Sequence, residues 1–190
     1  MLGAATRLFI ERGYTATTVA AVARSADVSP ETIYATFDDK RRLLESVIDA
    51  AISRTGASLL PEDESRWDAI ALQGTARGRL RAYVDFSCGV LKRTSPIHQV
   101  IRGAADGEPF AVELSARLLR ERLAANTTNL RDFIGDSLRD GLTMRRAAER
   151  FCALSSPEMH HLLTFKLGWS PAAHQKWLAE VAEQDLLGPP

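Results

Sequence analysis

Residues 17–40, TTVAAVARSADVSPETIYATFDDK, spell a helix, a short turn and a second helix. Thr17 or Thr18 caps the first helix, because a hydroxyl ahead of an apolar run accepts a bond from an orphan amide. Val19, Val22 and Ala23 follow at spacings of three and four and form one apolar stripe. Ala23 and Ala26 are small enough for a second helix to approach closely. Asp27 falls in the turn, where a left-handed backbone is needed and Asp tolerates it better than most residues. Val28 plugs the angle between the helices. Ser29-Pro30-Glu31 is a helix start: Ser caps, Pro suits the first position, and Glu complements the dipole. The second helix spans about 30–36, with Ile33 and Phe37 inward and Thr32, Tyr34, Ala35 and Thr36 outward. A short, rigidly held helix of this kind can lie in the major groove of a duplex. Asp38 is expected to cap the next helix near Lys40, whose N-terminus suits a phosphate.

The flanks agree. Leu2, Ala5 and Phe9 form a stripe on a preceding helix, Gly13 ends it, and Tyr14 packs back on the bundle. The residues Ala5, Leu8-Phe9, Gly13-Tyr14, Thr17-Thr18, Val22-Ala23, Ala26, Val28-Ser29, Ile33-Tyr34, Phe37, Lys40 and Leu43 resemble the tetracycline-repressor (TetR) family of bacterial one-component regulators. A looser likeness to the ligand-sensing half of one branch runs through Leu154-Ser155-Ser156-Pro157-Glu158, Leu162-Leu163-Thr164, Gly168-Trp169-Ser170 and Trp177-Leu178-Ala179. The chain departs from the pattern at Asp27 and Glu31, where many relatives carry Gly, and at Ala35, where a larger residue is common. Glu31 either accepts from a cytosine amine or serves the helix terminus. Relatives also carry a basic leader. Here the first helix opens almost at Met1-Leu2, so a minor-groove arm is absent or the true start lies upstream.

The chain has 190 residues, 45% of them hydrophobic, with 24 basic and 24 acidic side chains and a formal net charge of zero. That length can bury a core as one or two domains. No apolar run approaches membrane-spanning length and no signal peptide opens the chain. Cys88 and Cys152 lack metal spacing and are expected as reduced core residues of a cytoplasmic protein. Up to Arg42 the six basic residues (Arg7, Arg12, Arg24, Lys40, Arg41, Arg42) nearly balance five acidic ones (Glu11, Asp27, Glu31, Asp38, Asp39). Non-specific DNA binding relies on many cationic contacts, so modest affinity per protomer and reliance on dimerisation are expected.

The rest of the chain looks all-α: an N-terminal three-helix helix-turn-helix domain over 1–45, then a helical bundle over 46–190 for effector binding and dimerisation. A helix runs from about 39 to 54. Residues 56–65 are breaker-rich and suit a hinge. A helix near 77–93 comes next, and Ser95-Pro96 is expected to start another. One long helix or two extend from 108 or 109 to about 140. Met144, Ala147, Ala148, Phe151 and Cys152 stripe the next, and Ser156-Pro157 and Ser170-Pro171 start the last two. No period-two alternation argues for a strand.

The expected DNA contacts are Thr18, Ser29, Thr32, Tyr34, Thr36 and Lys40, with Tyr34 and Lys40 on phosphate and Thr32 and Thr36 facing the groove. Met159, Leu162 and Leu163 on one late helix and Trp177, Leu178 and Val181 on the other are expected to meet a second copy as a four-helix bundle, with Trp177 as anchor. An intramolecular core is the other reading of those stripes. The polar run Asn126-Thr127-Thr128-Asn129 interrupts an apolar stripe, which puts Thr127 forward as a ligand contact or makes the run a solvated turn of helix. Tyr83, Phe86, His98, Arg102 and Phe110 are further ligand candidates, because the resemblance places effector cavities among the central helices. Trp67 either covers an opening or anchors a loop.

His160-His161 make a poor metal pair, His98 and His174 lack a carboxylate at a telling spacing, and no phosphate loop or nucleophile motif occurs. No cofactor and no catalysis are expected. The resemblance implies a homodimeric repressor of double-stranded operator DNA, released by a small-molecule effector. The alternative is a helical small-molecule-binding protein that no longer reads DNA.

Overall fold

The computed structural model describes residues 1–53 and 67–188, and every long element among them is a helix. In chain order these are α1 (Leu2–Ala16), α2 (Val19–Ser25), α3 (Pro30–Phe37), α4 (Lys40–Ser53), α5 (Ala76–Ala104), α6 (Pro109–Ile134), α7 (Met144–Leu154), α8 (Pro157–His161) and α9 (Pro171–Leu186). A 3-10 turn, Gly135–Ser137, comes after α6, and a wide π turn, Leu162–Lys166, continues α8. Among the described residues no helix is long and apolar enough to cross a membrane. The hinge expected over 56–65 lies outside the described residues.

Side-chain caps set most of the helix starts. Thr18, Ser29, Thr75, Thr143, Ser156 and Ser170 each accept a hydrogen bond from the amide three residues on. At α4 the cap lies one residue beyond the expected Asp38. It is Asp39, whose carboxylate accepts from the Arg42 amide at 2.7 Å. Asp38 instead takes the left-handed turn between α3 and α4, at φ 63°. Asp27 also has a positive φ, 54°, in the α2–α3 turn. Gly13, at φ 76°, kinks the end of α1 and lets Tyr14 fold back against Phe9. Thr17 is buried, and its hydroxyl donates to the carbonyls of Leu8 and Gly13.

The expected break at Ser95-Pro96 does not occur: α5 continues through it, with Pro96 inside. An internal proline costs a helix about 3 kcal/mol. Burying one large aliphatic side chain returns roughly 1.5–3 kcal/mol, and Leu91, Ile97 and Ile101 are all buried around this point. Packing therefore outweighs the proline. The Ser95 hydroxyl does not cap a helix; it donates to the carbonyl of Pro157 at 3.1 Å and ties α5 to α8. The long segment after 108 is one helix as far as Ile134.

Two apolar cores result, and α5 and α6 take part in both. The lower core joins Phe9, Val22, Ile33, Leu43, Leu44 and Ile48 of α1–α4 to Ile97, Val100, Ile101 and Ala104 of α5 and to Phe110, Ala111 and Leu114 of α6. Thus α4 runs past the boundary expected at residue 45, and the N-terminal helices share an interior with α5 and α6. The upper core joins Leu80, Tyr83 and Val84 of α5, Leu130, Phe133 and Ile134 of α6, Phe151 of α7, and Leu178, Ala182 and Leu186 of α9. Glu183 of α9 is buried against this core, where its carboxylate accepts from Arg77 at 3.3 Å and from Arg81.

Candidate functional site

The first candidate surface is α3. Ile33 is buried in the lower core, while Glu31, Thr32, Tyr34, Ala35 and Thr36 face solvent. Tyr34 is 51% exposed. Ser29 caps α3, and its hydroxyl lies 3.2 Å from that of Thr32. The Thr36 hydroxyl donates to the Thr32 carbonyl at 2.8 Å. Thr18, capping α2, is also exposed. The Glu31 carboxyl is held below the usual carboxylate range by the Ser29 hydroxyl and then by backbone hydrogen bonding.

The basic spot 40–42 is engaged within the chain. Lys40 donates to the Tyr14 carbonyl at 3.2 Å and stands 4.1 Å over that ring. Arg41 and Arg42 both pair with Glu45, at 3.2 and 2.9 Å. These are exposed pairs, worth a fraction of a kcal/mol up to about 1 kcal/mol, and exchange with a phosphate costs little. Burial first, then Glu108 and Asp39, push the Tyr14 hydroxyl up to about 12.

The second candidate is a cavity of about 310 Å³ between the middle of α5 and α6. Of the six residues proposed from sequence, Tyr83, Phe86 and His98 line it. Trp67 closes the same wall, 4.8 Å from Phe86 and 5.8 Å from Phe133 between ring centroids. Arg102, Phe110 and Thr127 are not among its lining residues. Arg102 points outward and donates to Gln99 at 2.6 Å. Phe110 is buried in the lower core, 5.1 Å from the Tyr14 ring. The Thr127 hydroxyl is spent on the Leu123 carbonyl at 2.7 Å.

The polar run does reach the cavity, through Asn126 and Asn129. Asn126 lies four residues before Leu130 and seven before Phe133, which is the inward phase of α6; Thr127 is about 100° away. Tyr83 is the hub. Its hydroxyl donates to Asn126 Oδ1 at 2.7 Å and accepts from Asn129 Nδ2 at 3.1 Å. Asn126 Nδ2 is buried with no hydrogen-bond partner among the described residues. A buried donor left unmade costs about 1–3 kcal/mol. Burial pushes the Tyr83 hydroxyl up to about 12 and, aided by Arg122, pushes the His98 imidazole down to about 4. Both side chains are therefore neutral at pH 7.

The third candidate is the face around α8 and α9. Leu162 is 46% exposed and Phe165 74%, and Leu167 beside them is also exposed. Met159, Trp177 and Val181 are half-buried, with Trp177 edge-on to Trp169 at 6.0 Å. Leu163 is largely buried, and Leu178 is wholly inside the upper core. Leu178 has no surface left for a second copy; for that residue the intramolecular reading holds. Cys88 and Cys152 are free thiols, and Cys88 Sγ lies 3.7 Å from His174 Nδ1. His160 packs edge-on against His174, whereas His161 turns away to stack on Phe165. Among the described residues no group of three or more His, Cys, Asp or Glu side chains is arranged to hold a metal.

An outward helix-turn-helix packed onto a helical bundle is the architecture of a one-component transcriptional regulator. Residues 1–47 match the family model for bacterial regulatory proteins of the tetR family, and the chain as a whole has the fold of solved TetR-family regulators. A Rhodococcus sp. protein assigned to the TetR-family transcriptional regulators superposes with a TM-score of 0.72 at 20% identity, over 96% of this chain and 94% of that one. NalD, the secondary repressor of the MexAB-OprM multidrug efflux pump in Pseudomonas aeruginosa, gives 0.67 at 20% identity over 98% and 94%. The fatty acid degradation regulator FadR from Bacillus halodurans gives 0.74 at 16% identity, over 95% of each chain. No curated protein matches the chain by sequence.

Proposed function

We propose that this protein is a TetR-type repressor that binds operator DNA as a homodimer in the cytoplasm and is released by a small-molecule effector. Residues 1–45 supply the DNA contacts, and residues 46–190 hold the effector and join two copies. Thr32 and Thr36 face the groove. Tyr34 and Lys40 contact phosphate, with Thr18 and Ser29 near the backbone.

One observation carries the reading. The helix that would enter the groove and the wall of the cavity are parts of one packed body. Ile33 of α3 and Ile97 and Ile101 of α5 share the lower core, and Tyr83, Phe86 and His98 of that same α5 line the cavity. A molecule that favours one position of α5 over another therefore shifts where α3 sits. In a dimer that changes the separation of two reading helices, which B-DNA requires to be roughly 34–36 Å. The apolar face of Leu162, Phe165 and Trp177 supports association of two copies through α8 and α9. The neutral, polar-tipped cavity supports effector binding over catalysis.

Selection of bound duplexes from a random pool, with the purified chain, tests this directly. Enrichment of an inverted repeat is expected. Enrichment of nothing, with retained ligand binding, would establish the sensor without DNA reading.

A further inference from the structure

The cavity between α5 and α6 has a definite chemical polarity, and resting on the regulator reading above, this names the class of effector. One wall is aromatic. Trp67 lies tilted on Phe86 at 4.8 Å, and Phe86 stacks with Tyr83 at 6.2 Å and 13° between planes. A flat ring system fits such a wall by offset or edge contacts. Opposite stands Asn126, 6% exposed and on α6.

The amide presents its oxygen to Tyr83. Asn129 donates to the Tyr83 oxygen, so the Tyr83 hydrogen is free to go to Asn126 Oδ1. The amide nitrogen of Asn126 is then left as a donor with nothing to receive it. The charged groups on the lining are already committed. Glu121 pairs with Arg117 at 3.2 Å, and Arg122 reaches the Ser155 carbonyl at 3.4 Å. Arg122 and His98 line this cavity and also a second one, of about 510 Å³. A charged ligand inside would have to recover the loss of its water from Arg122 or Glu121 alone.

We propose that this cavity takes an uncharged, flat aromatic molecule bearing a carbonyl-type acceptor, which receives the hydrogen bond of Asn126 Nδ2. The volume of about 310 Å³ suits two fused rings with a short substituent.

Three naphthalenes of nearly equal shape test it by calorimetry on the full chain at pH 7.5: 2-acetylnaphthalene, 2-ethylnaphthalene and 2-naphthoate. The ketone is expected to bind about tenfold tighter than the ethyl compound, and also tighter than the carboxylate. Asn126→Leu is expected to remove the ketone's advantage while leaving the ethyl compound within about threefold of its wild-type affinity. Should that variant fail to fold, the ketone and ethyl compounds on the unaltered chain decide alone. Equal affinity of those two, tighter binding of the carboxylate, absence of binding by all three, or a folded Asn126→Leu protein that keeps the advantage would each overturn the assignment. None of these measurements involves DNA. Adding a selected duplex separates the two readings: a ketone that binds through Asn126 without releasing the duplex counts against the effector role and leaves the site standing.

Discussion

The ammonium of Lys40 and the aromatic ring of Tyr14 lock the start of α4 to the end of α1: Nζ sits 4.1 Å from the ring centroid and donates to the Tyr14 carbonyl at 3.2 Å. This contact braces the base of the helix-turn-helix from behind. Lys40→Met keeps the stem and removes both interactions. It is expected to lower stability by about 1 kcal/mol, read as a shift in the urea midpoint. Duplex affinity measured on the folded variant should fall as well, if the same ammonium turns to a phosphate in the complex.

Tyr34 offers a cleaner separation of roles, because its ring is exposed and its hydroxyl makes no hydrogen bond among the described residues. Tyr34→Phe is expected to leave the melting temperature unchanged. It should weaken every duplex about threefold to tenfold, with little change in sequence preference. Unaltered binding across a salt series would remove Tyr34 from the interface.

His98 is one expected source of acid sensitivity. Its imidazole is pushed down to about 4, chiefly by burial and then by Arg122. The unfolded chain protonates near pH 6.5, before the folded one does, so stability is complete above about 6.5 and declines as pH falls toward about 4. The loss attributable to this one group is on the order of 3 kcal/mol over that window. His98→Gln should reduce the slope of the denaturation midpoint with pH between about 6.5 and about 4.5. The same slope in both proteins would assign the acid sensitivity elsewhere; His160 and His174 are also held low, both first by burial.

Neighbours on α9 predict opposite outcomes. Trp177 is half-buried at the outer face, and Leu178 is fully inside. Leu162→Glu combined with Trp177→Glu is expected to convert a dimer to a folded monomer in size-exclusion light scattering. Leu178→Ala should instead cost about 2–5 kcal/mol of folding stability. A monomeric wild type would remove the dimer proposal at once.

Much of this architecture is written locally, because capping and periodicity are local physics. Ser29, Ser156 and Ser170 each precede a proline and each cap a helix. The same dipeptide at Ser95-Pro96 signals a start that never happens, since nothing in a dipeptide records that Ser95 will find the Pro157 carbonyl or that Ile97 and Ile101 will be buried. The left-handed turn at Asp27 is legible from residue type. The exchange of roles between Asp38 and Asp39 is not, because both side chains can do either job. In the cavity, aromatic residues on α5 are legible as candidates, whereas the polar run points to Thr127, one position away from Asn126. A polar run of four gives no phase of its own, and the phase has to come from Leu130 and Phe133. Phe110 misleads for a different reason: it lies at the beginning of α6, and only the three-dimensional course of that helix sends it to Tyr14.

The interior shared by Leu43, Leu44 and Ile48 with Ile97, Ile101 and Phe110 has a practical corollary. Blade and handle are forged as one piece. A fragment cut near residue 47 would leave its oily floor bare and should precipitate, whereas the intact protomer keeps that floor covered by the α5 and α6 side chains.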